Sequence, residues 1–133
     1  MPVINVKISG ARGAGMTEQV AAMLMDLTSE VLGKKRELIA IAIQYVDRAD
    51  WFIAGRRLTE WGMDSFYLDI KITDETNTKD EKAEYIRRVF EGFAGLLGAL
   101  HDESYIHVED VRAATYGYGG KTQEFRYQRA IPT

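Results

Sequence analysis

The chain has no cysteine, and 2 of its 133 residues are proline. The missing thiols exclude disulfides, thiolate metal sites and a cysteine nucleophile, and leave the redox compartment open. No apolar run approaches the roughly 18 residues of a membrane span. The N-terminus lacks the apolar core of a signal peptide, so the expected location is the cytoplasm, with no membrane partner. A net charge of −3 marks no polyanion-binding surface, and no nucleic acid is expected. The two histidines, His101 and His107, lack ligand spacing, so no metal is expected. The glycines match no nucleotide-binding loop, and no cofactor is expected.

What the chain does have begins with one of its prolines. Pro2 follows the initiator methionine and opens an alternating stretch in which Ile4, Val6 and Ile8 interleave with Asn5, Lys7 and Ser9, the pattern of a strand. Methionine before a small second residue is normally trimmed, which would leave a free proline amine. Burial disfavours the charged form of an amine, and a neutral amine near pH 7 is a general base. Arg12, ten residues on, can hold an anion with its guanidinium fork. A retained Met1 would turn the nitrogen into an amide and remove its basicity.

The rest reads as a unit used twice. Thr17 is placed to cap a helix whose stripe is Val20, Leu24, Leu27 and Val31. Gly33 ends it, and Ile39–Val46 alternates as a second strand. A loop, Trp51-Phe52-Ile53-Ala54-Gly55, and Arg56-Arg57 follow. Tyr67–Thr73 then mirrors Val3–Ser9 at a spacing near 64. Thr78-Lys79-Asp80-Glu81 reads as a capping box for a second helix, with Ile86, Val89, Phe93 and Leu96 or Leu97 as its stripe and Gly98 as its stop. Tyr105–Val111 is the later strand, and Tyr116-Gly117-Tyr118-Gly119-Gly120 answers the earlier loop. Each strand–helix–strand unit places its strands parallel with the helix on one face. Ile4, Val6, Ile8, Leu68, Ile70, Ile72, Ile106 and Val108 then face the helices. Asn5, Lys7, Asp69, Lys71, His107 and Glu109 face away, towards solvent or a wet channel in an oligomer. The expectation is an α+β fold of two tandem βαβ units sharing a four-stranded sheet, with two helices on one face. It forms one domain over 1–133, with units at about 2–57 and 65–121 and a tail at 122–133.

Proline after methionine, a strand, Gly10 and Arg12, a helix, a strand and an aromatic–Gly–x–Gly–Gly hairpin together resemble the tautomerase superfamily, whose smallest type is 4-oxalocrotonate tautomerase. The double length is similar to its fused members, the cis-3-chloroacrylic acid dehalogenase, malonate semialdehyde decarboxylase and macrophage migration inhibitory factor types. The resemblance implies a homotrimer and a cofactor-free isomerase, a tautomerase acting on a small 2-keto or enol carboxylate. It implies Pro2 as base, Arg12 as carboxylate clamp and Tyr116 as the aromatic beside the proline. Tyr118, His107 and Arg56 are further candidates for the substrate pocket, Arg56 from a neighbouring chain. Ala40, Thr73, Thr76 and Tyr118 stand where relatives carry second arginines or a water-activating glutamate, which argues against dehalogenation or hydration. Phe66 takes the proline position in the second half and is internal, so that half offers no amine. The alternatives are a promiscuous decarboxylase, hydratase or dehalogenase using a charged Pro2, or a catalytically silent trimeric binding protein.

Overall fold

The structure, a computed structural model, describes residues 2–130, with side chains through 128; Met1 and the last three residues of the tail lie outside them. Strand β1 (Val3–Ser9) leads through Gly13 into helix α1 (Ala14–Leu32). A 3-10 turn, Arg36–Leu38, precedes β2 (Ala40–Val46). A two-residue-per-arm hairpin, β3 (Phe52–Ile53) and β4 (Arg56–Arg57), is followed by the one-turn helix α2 (Leu58–Trp61). The second unit repeats this order: β5 (Phe66–Thr73), α3 (Lys79–Leu97), β6 (Tyr105–Val111), hairpin β7 (Gly117–Tyr118) and β8 (Lys121–Thr122), then α4 (Gln123–Ala130). The repeat therefore runs on into the tail, because α4 follows its hairpin as α2 follows the first. Leu58 N–H bonds to Trp51 O, and Gln123 N–H bonds to Tyr116 O in the same way.

The four long strands form one sheet in the order β2-β1-β5-β6, parallel within each unit and antiparallel where β1 meets β5. The alternation in the strands decides its faces. Ile4, Val6, Ile8, Leu68, Ile70 and Ile72 are buried, and Val20, Leu24 and Leu27 of α1 and Tyr85, Val89 and Phe93 of α3 join them in one core. At about 25 cal/mol per Å2 of apolar area removed from water, this layer is the main stabilising term. The helices approach closely at Gly92, where a Cβ would lie 2.1 Å from the Met23 sulfur. Inside the core the Thr28 and Tyr85 hydroxyls bond at 2.9 Å, and burial pushes the Tyr85 phenol up to about 12.

Two local expectations are corrected. Gly13, not Thr17, is the N-cap of α1, and it supplies no side-chain cap. Thr17 lies one turn inside, where its hydroxyl donates to Gly13 O and meets the Tyr45 hydroxyl at 2.8 Å. In α3 the core-facing residue of the first turns is Tyr85; Ile86 is 39% exposed. The expected Thr78–Glu81 capping box is present, with both reciprocal bonds made. Gly33 closes α1 at φ 67°, in the left-handed region that glycine enters without steric cost.

Candidate active site

Pro2 sits where the sheet, the Arg36–Leu38 turn and the second hairpin converge. It is buried, and its carbonyl accepts from Ala40 N–H at 3.2 Å, which fixes the start of β1 against β2. A cavity of about 500 Å3 opens beside it, walled by Leu38, Ile39, Tyr116 and Tyr118, with Glu37 and Lys71 as its charged residues. The pairing of β1 with β5 brings Lys71 opposite Val3 and so into this cavity. Its ammonium donates to Asp69 at 3.2 Å and lies 3.6 Å from Glu109. The bond to Asp69, ahead of the charges of both carboxylates, holds its pKa above the ordinary lysine value.

Tyr116 is anchored from below: its hydroxyl and that of Thr73 are 2.7 Å apart. Partial burial raises its pKa despite the Thr73 contact, so the phenol is protonated at neutral pH and able to donate a hydrogen bond. Tyr118 is held by the tail. Arg126 of α4 stacks its guanidinium 3.8 Å from the Tyr118 ring centre and donates to its carbonyl at 2.8 Å. Helix α4 thus braces the hairpin that walls the cavity.

Pro2, Tyr116 and Tyr118 come together as the sequence suggested; the other named residues lie elsewhere within one chain. Arg12 is exposed beyond the far end of β1. At about 3.3 Å per residue it is separated from Pro2 by roughly the length of that strand. His107 is exposed on β6 opposite Asp69, on the sheet face away from the helices. Arg56 lies in the first hairpin, 4.4 Å from the Trp61 ring centre and 3.7 Å from Glu60. Sequence reasoning missed Lys71 and Glu37 as pocket residues. The repeat at a spacing near 64 placed Lys71 on the correct face, but only the antiparallel seam puts it beside Pro2. No helix among the described residues is long and apolar enough to cross a membrane.

No protein-family model matches the sequence, and no curated protein matches it either. Solved structures do match in fold. A fused 4-OT solved as an asymmetric trimer superposes with a TM-score of 0.81 at 16% identity, covering 94% of this chain and 98% of its own. The malonate semialdehyde decarboxylase FG41, inhibited by 3-bromopropiolate, gives 0.74 at 17% identity over 98% and 99%. A macrophage migration inhibitory factor-like protein from Entamoeba histolytica gives 0.74 at 18% identity over 91% and 97%. Near-complete coverage in both directions means that the likeness extends over both βαβ units. The chain has the fold of the tautomerase superfamily, in its fused, two-unit form.

Proposed function

We propose that this protein is a cofactor-free tautomerase that uses the amine of Pro2 as general base on a small 2-keto or enol carboxylate. The observation that carries this reading is the buried Pro2 at the floor of an apolar, tyrosine-walled cavity that holds one lysine. Once Met1 is removed, desolvation favours the neutral amine. In the reaction Pro2 takes a proton from the enol oxygen or the α-carbon and returns it to the other position, so no proton is gained or lost. Lys71 meets the substrate carboxylate by exchanging its bond to Asp69 for one to the substrate, and the Tyr116 phenol donates to the oxygen where enolate charge develops. Arg12, too far from Pro2 in its own chain, serves as a clamp only from a neighbouring chain. A homotrimer of single-domain chains, the assembly in which fused 4-OT structures were solved, would supply such a neighbour.

The test is kinetic. With an aromatic enol pyruvate as probe, kcat/KM is expected to rise with pH through an apparent pKa below the value of a free proline amine. Protein that retains Met1 should lose on the order of 10²-fold or more in rate, the usual contribution of a positioned base. A flat pH profile, or full activity with Met1 in place, would remove Pro2 from the mechanism. Lys71→Ala should raise KM by about tenfold or more, since charge-assisted hydrogen bonds of roughly 1.5–3 kcal/mol are lost; an unchanged KM would return the clamp to Arg12 alone.

Glu37 favours a second reading. A carboxylate in the same cavity can activate a water, which is what a hydratase or decarboxylase with a charged Pro2 would use. In that case kcat/KM falls, rather than rises, as pH passes the proline pKa.

A further inference from the structure

The molecule has a second cavity related to the first by its internal repeat. It has a volume of about 560 Å3, and Trp51, Trp61, Phe66, Tyr67 and Tyr105 line it together with the polar His101 and Glu103. An adjoining space of about 490 Å3 shares Trp51, Phe52 and Tyr67 with it and adds Lys7 and Asp50. The repeat relation is position by position. Val3 pairs with Lys71 at the Pro2 cavity, and Tyr67 pairs with Lys7 at this one. The hairpin Phe52–Ile53 stands for Gly117–Tyr118, and Phe66 stands for Pro2.

The surroundings of the two lysines differ by charge. Lys71 has Asp69 two residues before it on its own strand and Glu109 opposite it on β6, and it is ion-paired to both. Lys7 has Asn5 and, opposite it on β2, Gln44. An amide stands in each place where the other half has a carboxylate of the same shape. Lys7 accordingly has no ion-pair or hydrogen-bond partner among the described residues, and its side chain is exposed in the adjoining space rather than in the lining of the cavity itself. The carboxylates of the site are Glu103, in the cavity wall, which accepts from the Tyr105 hydroxyl, and Asp50, which shares the lining of the adjoining space with Lys7; Asp69, on the neighbouring strand, is taken by Lys71.

We infer that this second cavity is a non-catalytic binding site for a small carboxylate with a flat apolar body, with Lys7 as its anion partner. The aromatic walls stack on the body, and the unpaired ammonium meets the carboxylate in a charge-assisted bond. Phe66 offers no amine, so the ligand leaves unchanged. The inference is independent of Pro2 chemistry, because Pro2 does not line this cavity or the adjoining space.

Trp51 and Trp61 are the two tryptophans of the chain and both line this cavity, so their fluorescence reports on it. The probe is 3-phenylpropionate, with 3-phenylpropan-1-ol as the uncharged body. The acid should change tryptophan emission saturably, and the alcohol should bind at least about tenfold more weakly. Lys7→Gln should weaken the acid to the level of the alcohol, whereas Lys7→Arg keeps most of the affinity. Asn5→Asp combined with Gln44→Glu restores the carboxylates of the other half around an intact Lys7 and should also weaken the acid. Lys71→Gln should leave the fluorescence titration unchanged while altering turnover. Circular dichroism confirms that each variant is folded. No saturable change, equal affinity for acid and alcohol, or unaltered binding in folded Lys7→Gln overturns the site. A failed Pro2 assay with an intact fluorescence titration would count only against the tautomerase reading.

Discussion

Pro2 and Phe66 occupy the same place in the two halves, at the start of the two central strands, and both are buried. Phe66 stacks on Phe93 with ring centres 4.0 Å apart and lies 6.4 Å from Phe90. Both border a cavity, Pro2 the first and Phe66 the second, but Phe66 also fills the core beneath it. The frame around each is the same: a parallel strand beside it, a lysine across the seam and an aromatic hairpin above. One position therefore takes proline or phenylalanine without altering the fold; under the proposed function the first serves chemistry and the second packing. The molecule contains its own control for any claim about the first site.

The comparison breaks most visibly through stability. Phe66→Ala removes a fully buried ring and should cost about 3–5 kcal/mol, read from urea unfolding. Pro2→Ala deletes little buried surface and should cost about 1 kcal/mol or less while lowering turnover. Equal losses from the two would mean that Pro2 is a packing residue as well.

A smaller effect comes from the bond between the helices of the two halves. The Tyr85 phenol, raised by burial to about 12 from 10.0, holds its proton in the folded protein after the unfolded chain has released its own. The stability it carries is complete below about pH 10 and is lost as pH rises towards 12, on the order of 2–3 kcal/mol. Tyr85→Phe should flatten that part of the pH–stability curve; an identical alkaline decline in the variant would assign the decline to other groups.

The smallest contrast is at the helix starts, since α3 has a full capping box and α1 begins at bare Gly13. Thr78→Ala should cost about 1 kcal/mol. Gly13→Ser should gain a few tenths of a kcal/mol, because φ −139° suits any residue and an added Cβ meets only Met16 at 3.9 Å. Thermal midpoints measure both, and a loss in Gly13→Ser would show that the glycine is needed at that entry.

Much of this was legible in the sequence because it depends on period. The alternation in VINVKIS and YLDIKIT gave strands and their buried face, and Gly33 and Gly98 gave the helix ends. Pro2 is grouped with Tyr116 and Tyr118 by the family resemblance; they belong to different units, and the seam between β1 and β5 carries the second hairpin to the start of the first strand. Three things escaped for physical reasons. Helix α4 has a polar composition with no strong apolar stripe, so QEFRYQRA read as tail although it sits at the repeat position of α2. Lys71 was assigned a face but not an end, and only the antiparallel seam supplies the end. Arg12 was close to Pro2 in sequence, but a strand is an extended spacer that carries its two ends apart.

The seam also orders events in time. Val3 meets Ala40 within its own unit, but meets Lys71 only across the junction of β1 and β5, far further along the chain. Closing the longer loop costs more chain entropy, and contacts of large sequence separation slow folding. On this ground each unit is expected to pair its own parallel strands first and the seam last. Because both cavities straddle that seam, neither exists in a half-folded chain: the pockets and the native state appear in the same kinetic step.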